Sequence, residues 1–241
     1  MTAHALKDAC LRSFLAELAN KSPARISLAD VAAGAGVPLS ELRAEFDSVE
    51  DLLSAFFRAT DRQVLAEGGP DSEDLAAEGP KERLFEVLMR RLDALEPHKD
   101  AVRTLTRAAR YDPVLALRLL CLSERSQRWM LAAAGVDCTG LAGATRARGL
   151  AFLFARVVKV WLKDDEPGLD RTMAALDREL DNGAKLLGML DNALTILKPW
   201  RACRERCERR RARRRARAER ASASSSAMPA SSAAAEGYSG A

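Results

Sequence analysis

The chain has 241 residues, 48% of them apolar and 30% charged, enough to bury a sizeable core as one domain or as a small domain joined to a larger one. No stretch approaches the roughly eighteen uninterrupted apolar residues of a membrane span, and the start, MTAHALKDAC, lacks the basic region and apolar stretch of a signal peptide, so the expected location is the cytoplasm. The net charge of +4 is unevenly spread: Arg201 to Arg220 hold eleven arginines against three glutamates, a net +8, which leaves the remainder at −4.

Apolar residues recur at three and four positions almost everywhere, and no run alternates over a strand's length, so the predicted class is all-α. The first helix spans Ala3 to Ala19, with Leu6, Leu11, Phe14, Leu15 and Leu18 inward. Ser27 and Asp30 give a capping-box start to a short second helix that runs into Gly34-Ala35-Gly36, a turn that calls for glycine's freedom. Pro38 opens a third helix ending near Phe46; Ser48 and Asp51 repeat the capping signal for a fourth, through Leu52, Phe56 and Leu65. GGPDSEDLAAEGP, residues 68–80, reads as a linker.

Five or six further helices are expected. Pro80 suits a first helical turn, followed by the stripe Leu84, Phe85, Leu88, Leu92 and Leu95. Asp112-Pro113 starts another, with Leu115, Leu119, Leu122 and Trp129 on one side and Arg118, Arg125 and Arg128 on another. Gly135 and Gly140 bound a turn, after which Leu150, Phe154, Val157 and Trp161 align opposite Arg156, Lys159 and Lys163. A loop, LKDDEPGLD, leads to a helix marked by Leu169, Met173, Leu176 and Leu180, with Asn182-Gly183 as its stop. A last apolar row, Leu187, Leu190, Leu194 and Leu197, precedes the arginine run, and residues 221–241 have the composition of a disordered tail.

Catalytic chemistry is sparse. The five cysteines (10, 121, 138, 203 and 207) form no paired framework, and an odd count fits reduced thiols. Cys203 and Cys207 lack a second ligand pair, and His4 and His98 are the only histidines, so neither a metal site nor an enzyme is expected.

ISLADVAAGAGVPLSELRAEFDSVEDLL resembles the helix-turn-helix of the TetR family: Leu28, Val31 and Ala32 within the second helix, the turn at Ala35 to Val37, Leu42 and Phe46 on the third, and Leu52 on the fourth. The resemblance covers about the first sixty-five residues. It implies a homodimer that would read DNA through Ser40, Glu41, Arg43 and Ser48. Two positions depart from the family: Arg43 stands where a phosphate-touching tyrosine is usual, and Val49 where a phosphate-binding lysine is. Between Ser27 and Leu53 there are six acids (Asp30, Glu41, Glu45, Asp47, Glu50, Asp51) and one base, Arg43. Glu41 and Glu45 are expected to project from the reading helix toward a polyanion, which would lower non-specific affinity.

PKERLFEVLMRRLDALEPHKDAV and WLKDDEPGLDRTMAALDRELDNG resemble a second family, the accessory proteins of ubiquinone biosynthesis (the ninth member of the Coq series and its proteobacterial relatives). The match runs from about Pro80 to Gly183 on Arg83, Leu84, Phe85, Trp161, Asp164, Asp165 and the Thr172 to Asp177 segment. That resemblance implies a TetR-like fold with a weakened helix-turn-helix, a bound lipid such as an isoprenoid quinone precursor, a hydroxylase partner and contact with the membrane.

The expectation drawn from both is a TetR-like helical protein: a module over 1–67, a linker over 68–80, a helical ligand-binding and dimerisation domain over 81–198, and an Arg-rich arm over 199–220. The leading reading is a non-enzymatic lipid-binding accessory protein, and the alternative is a ligand-responsive transcriptional regulator. Leu88, Trp129, Leu150, Phe154, Val157, Val158 and Trp161 are the expected apolar pocket, although the same stripe suits an ordinary core or a dimer seam. Leu187, Leu190, Leu194 and Leu197 with Arg201, Arg204, Arg209, Arg210, Arg211, Arg213, Arg214 and Arg215 are the expected surface for an anionic membrane, although the arginines suit nucleic-acid phosphates as readily, or a solvated arm with no dedicated partner.

Overall fold

The computed structural model describes residues 3–67 and 79–185. The row Leu187 to Leu197 and the arginines from Arg201 onward lie outside the described residues. Among the described residues regular structure is helical throughout, as the three-and-four spacing predicts.

Helix α1 (Ala3–Asn20) buries Leu6, Cys10, Phe14, Leu15 and Leu18 on one side. Helix α2 (Leu28–Ala35) starts where the Ser27 hydroxyl accepts the Ala29 N–H at 3.1 Å, while Asp30 faces Lys21 at 3.8 Å. It ends at Gly36, whose left-handed backbone (φ 67°) returns its N–H to Ala32 and Ala33. Helix α3 (Leu39–Glu45) follows Pro38, and α4 (Val49–Glu67) follows Ser48, whose hydroxyl accepts from Asp51 N–H at 3.3 Å. The Asp51 carboxylate accepts the Asp47 N–H at 3.0 Å, so the corner between α3 and α4 is closed from both sides.

Helix α5 (Pro80–Leu95) begins on its proline, and a short turn, Glu96–His98, joins it to α6 (Lys99–Ala108). Helix α7 (Pro113–Ala133) is capped by Asp112, which accepts from Val114 and Leu115 N–H at 2.9 and 3.0 Å. Gly135 (φ 70°) and Gly140 (φ 62°) flank the turn into α8 (Gly140–Trp161). Helix α9 occupies residues 170–185, so Asn182-Gly183 does not end it: Gly183 packs beside Leu153 of α8, a close approach that a residue without Cβ permits. The helix α6 has no separate counterpart in the sequence reading.

The front four helices do not stand apart. Helix α1 packs along α6, where Thr104 donates to the Ala19 carbonyl at 3.3 Å, and α4 packs on both α5 and α7. The buried apolar residues of the front helices and of α5–α9 form one continuous core. None of the described helices is long and apolar enough to cross a membrane.

The start of α9 is fixed by Asp164, whose Oδ2 accepts the Thr172 hydroxyl at 2.7 Å and its N–H at 2.9 Å. These bonds, the hydroxyl foremost, hold the Asp164 carboxyl below the ordinary aspartate value. A depressed folded-state value contributes stability above the unfolded value and loses it as pH falls through the folded one. Asp164→Asn therefore lowers the melting temperature at neutral pH, and the gap from the unaltered protein closes only on acidification below the usual carboxylate range; thermal denaturation across pH measures it.

Candidate ligand cavity and helix-turn-helix face

A cavity of about 570 Å³ opens between α4, α5, α6, α7 and α8, within the 300–1,000 Å³ range usual for small-molecule sites. Helix α4 contributes Phe56, Phe57 and Thr60, and α5 contributes Arg91 and Leu95. Val102, Leu105 and Thr106 of α6 form one wall, Ala116, Leu119, Leu120 and Ser123 of α7 another. Helix α8 closes it with Ala151, Phe152, Phe154, Ala155, Val158 and Lys159. Among the described lining residues there is no carboxylate.

Of the seven residues expected to form the pocket, Phe154 and Val158 line this cavity. Leu88, Leu150, Val157 and Trp161 are buried in the surrounding core instead, and Trp129 is 59% exposed on the outside of α7. Trp161 is fully enclosed: its Nε1 donates to Glu96 Oε2 at 2.9 Å, and Lys99 Nζ lies 5.2 Å from its ring centre. The tryptophan thus ties α8 to the turn between α5 and α6.

The cavity's charged lining residues are Arg91, Arg110 and Lys159, none of which the expected pocket includes, and Arg91 is the one of the three that is buried. Arg91, 3% exposed, pairs with Asp61 of α4, and the Ser126 hydroxyl of α7 donates to the same Asp61 Oδ1 at 2.5 Å. The Arg91 guanidinium sits 5.6 Å from the Phe154 ring centre, and its Nε–H has no hydrogen-bond partner among the described residues. Burial pulls the guanidinium below its ordinary value, and Asp61 opposes that shift. The signal was present: Leu84, Leu88, Arg91 and Leu95 fall on one helical face, so Arg91 occupies a core position of the α5 stripe.

On the helix-turn-helix, Ser40, Glu41 and Arg43 are exposed on α3, while Ser48 is half-buried at the cap of α4. Glu45 does not project outward as expected; it turns back to α1 and meets Lys7 Nζ at 2.8 Å. Arg43 is tied to Asp47, and Glu50 to Arg118 of α7. The Glu50 carboxyl is held below its ordinary value by its own backbone N–H first, then by Ser48 and Arg118. Of the six acids in the motif, five are thus engaged by a base or a backbone N–H, and Glu41 alone has no such partner among the described residues. Most of the acidic excess is paired within the chain, largely in exposed ion pairs.

Three solved structures share this arrangement of helices. A TetR transcriptional regulator from Nitrosomonas europaea aligns with TM-score 0.57 and 22% identity, over 74% of this chain and 97% of that one. A TetR transcriptional regulator from a Rhodococcus species gives 0.52 and 21%, over 76% and 97%. A TetR-family transcriptional regulator from Streptomyces coelicolor gives 0.50 and 15%, over 82% and 88%. No protein-family model and no curated protein matches the chain. The fold is TetR-like, as the motif around Gly36 implies.

Core and cavity positions on α8 respond differently to truncation. Trp161→Ala should cost about 3–5 kcal/mol of stability, as for a packed aromatic, and leave the affinity of a cavity-bound apolar dye unchanged. Urea denaturation and dye titration measure the two; a large affinity loss would put Trp161 against the ligand.

Proposed function

We propose that the protein is a ligand-responsive DNA-binding regulator that acts as a homodimer, with the cavity between α4 and α8 as its effector site. The observation that carries this reading is the double use of α4. Glu50, Leu52 and Leu53 at its start hold the helix-turn-helix in position, and Phe56, Phe57 and Thr60 further along line the cavity. A ligand therefore meets side chains of the same rod that carries α3, and any preference for one setting of α4 biases the other end. Likeness of fold to proteins described as transcriptional regulators supports the same reading. Arginines from Arg201 to Arg220 add phosphate-binding charge that the reading helix lacks.

One observation favours a second reading. Glu41 stands exposed on α3, and Val49 rather than a base opens α4, which suits a helix-turn-helix kept as a packing unit. The protein would then be a lipid-binding accessory of ubiquinone biosynthesis with a hydroxylase partner, and the arginines would hold an anionic membrane surface.

Selection of bound duplexes from a random DNA pool separates the two. A regulator enriches a palindromic site that survives moderate salt and is released by an apolar ligand. Failure to enrich any sequence, together with lowered ubiquinone after deletion of the gene, would overturn it in favour of the accessory protein. On the enriched site, Val49→Lys adds one phosphate contact and steepens the slope of log affinity against log salt by about 1.

A further inference from the structure

The lining of the cavity divides by exposure. Phe56, Leu95, Leu105 and Phe154 are buried, as is Arg91, whose charge Asp61 balances. Leu117, Phe152, Arg110 and Lys159 are exposed and so mark the mouth. Arg110 stands two residues past the end of α6, and Lys159 lies on the last turn of α8. Neither side chain has an ion-pair or hydrogen-bond partner among the described residues, and the described lining residues include no carboxylate to offset them. Hydrocarbon gains by leaving water for the buried part of the cavity, but an ionic head that followed it would lose its hydration, so a charged head stays at the mouth. There the two bases favour an anion, repel a cation and do nothing for a neutral group.

We infer that the occupant is a single-chain amphiphile with an anionic head: its hydrocarbon lies against Phe56, Leu105 and Phe154, and its head stays at the mouth beside Arg110 and Lys159. The inference rests on the effector-cavity reading and adds a head group to the apolar ligand of that reading. A fatty carboxylate and an alkyl phosphate share the required chemistry. With the head held by α8 and the residue that follows α6, the end of the chain is the part that meets Phe56 and Thr60 of α4. Occupancy is thus sensed at the mouth by charge and at α4 by hydrocarbon.

The test uses the full-length protein at neutral pH and four probes of equal chain length: decanoate, decyl phosphate, 1-decanol and decyltrimethylammonium. Each competes with Nile red, an uncharged dye, so that anions gathered by the arginines from Arg201 onward are not read as cavity binding. The tighter of the two anions identifies the head as carboxylate or phosphate. It should bind about fivefold or more tightly than 1-decanol, the scale of one or two exposed ion pairs, with the cationic probe weakest. Added salt should shrink that preference by screening. The double variant Arg110→Gln with Lys159→Gln changes exposed positions and should abolish the preference while leaving the affinity for 1-decanol unchanged. Binding of 1-decanol as tight as that of either anion to the unaltered protein would overturn the inference while leaving the cavity as a ligand site. The same holds for an anion preference that survives the double variant, or a double variant that weakens 1-decanol as much as the anions. Displacement by none of the four probes would overturn both the inference and the effector-cavity reading.

Discussion

The arrangement depends on a charge buried where three helices meet. Arg91 of α5, Asp61 of α4 and Ser126 of α7 form one hydrogen-bonded group in an otherwise apolar interior. Removing one member of such a pair leaves an uncompensated charge and typically costs about 3–5 kcal/mol, although an apolar substitute for the whole pair can be as stable. Its value is therefore geometric. Leucines tolerate sliding along a helix, but a guanidinium and a carboxylate that must meet out of water fix the register of α4 against α5 to within a hydrogen bond.

That register reaches the helix-turn-helix because α4 is continuous from Val49 to Glu67. At its start Glu50 is tied to Arg118 of α7, and the closed corner at Asp47 and Asp51 hands its position on to α3. Lys7 and Glu45 then join α3 to α1. Two of the motif's acids, Glu45 and Glu50, thus fasten the helix-turn-helix to α1 and α7. Surface ion pairs of this kind contribute little stability singly, and their role here is to orient elements that already share a core.

The fold was legible because helix signals are local. Ser27, Gly36, Asp112, Gly135 and Gly140 each act on their immediate neighbours, and each stands where its chemistry predicts. Helix α6 was hard to see because only Ala101 and Leu105 of its ten residues are buried, within a heavily charged run. Glu45 and Trp129 were misplaced for a related reason. Which way a side chain turns at a helix boundary or an open face depends on partners distant in sequence, such as Lys7, that no periodicity reveals.

The cavity was misread for a physical reason that applies beyond this chain. Sequence reasoning chose the large apolar residues of α8 as the pocket, yet large residues fill space, and Leu150, Val157 and Trp161 are buried in the core because they fill it well. Space is left where side chains are small. Ala151 and Ala155 on α8, Ala116 on α7 and Ala109 just after α6 line the cavity, those on α8 set one position round the helix from the bulky stripe. Phe154 and Val158 belong to both environments because they sit at the edge between them. On α8, then, the alanines beside the stripe of leucine, valine and tryptophan mark where the cavity lies better than the stripe itself does.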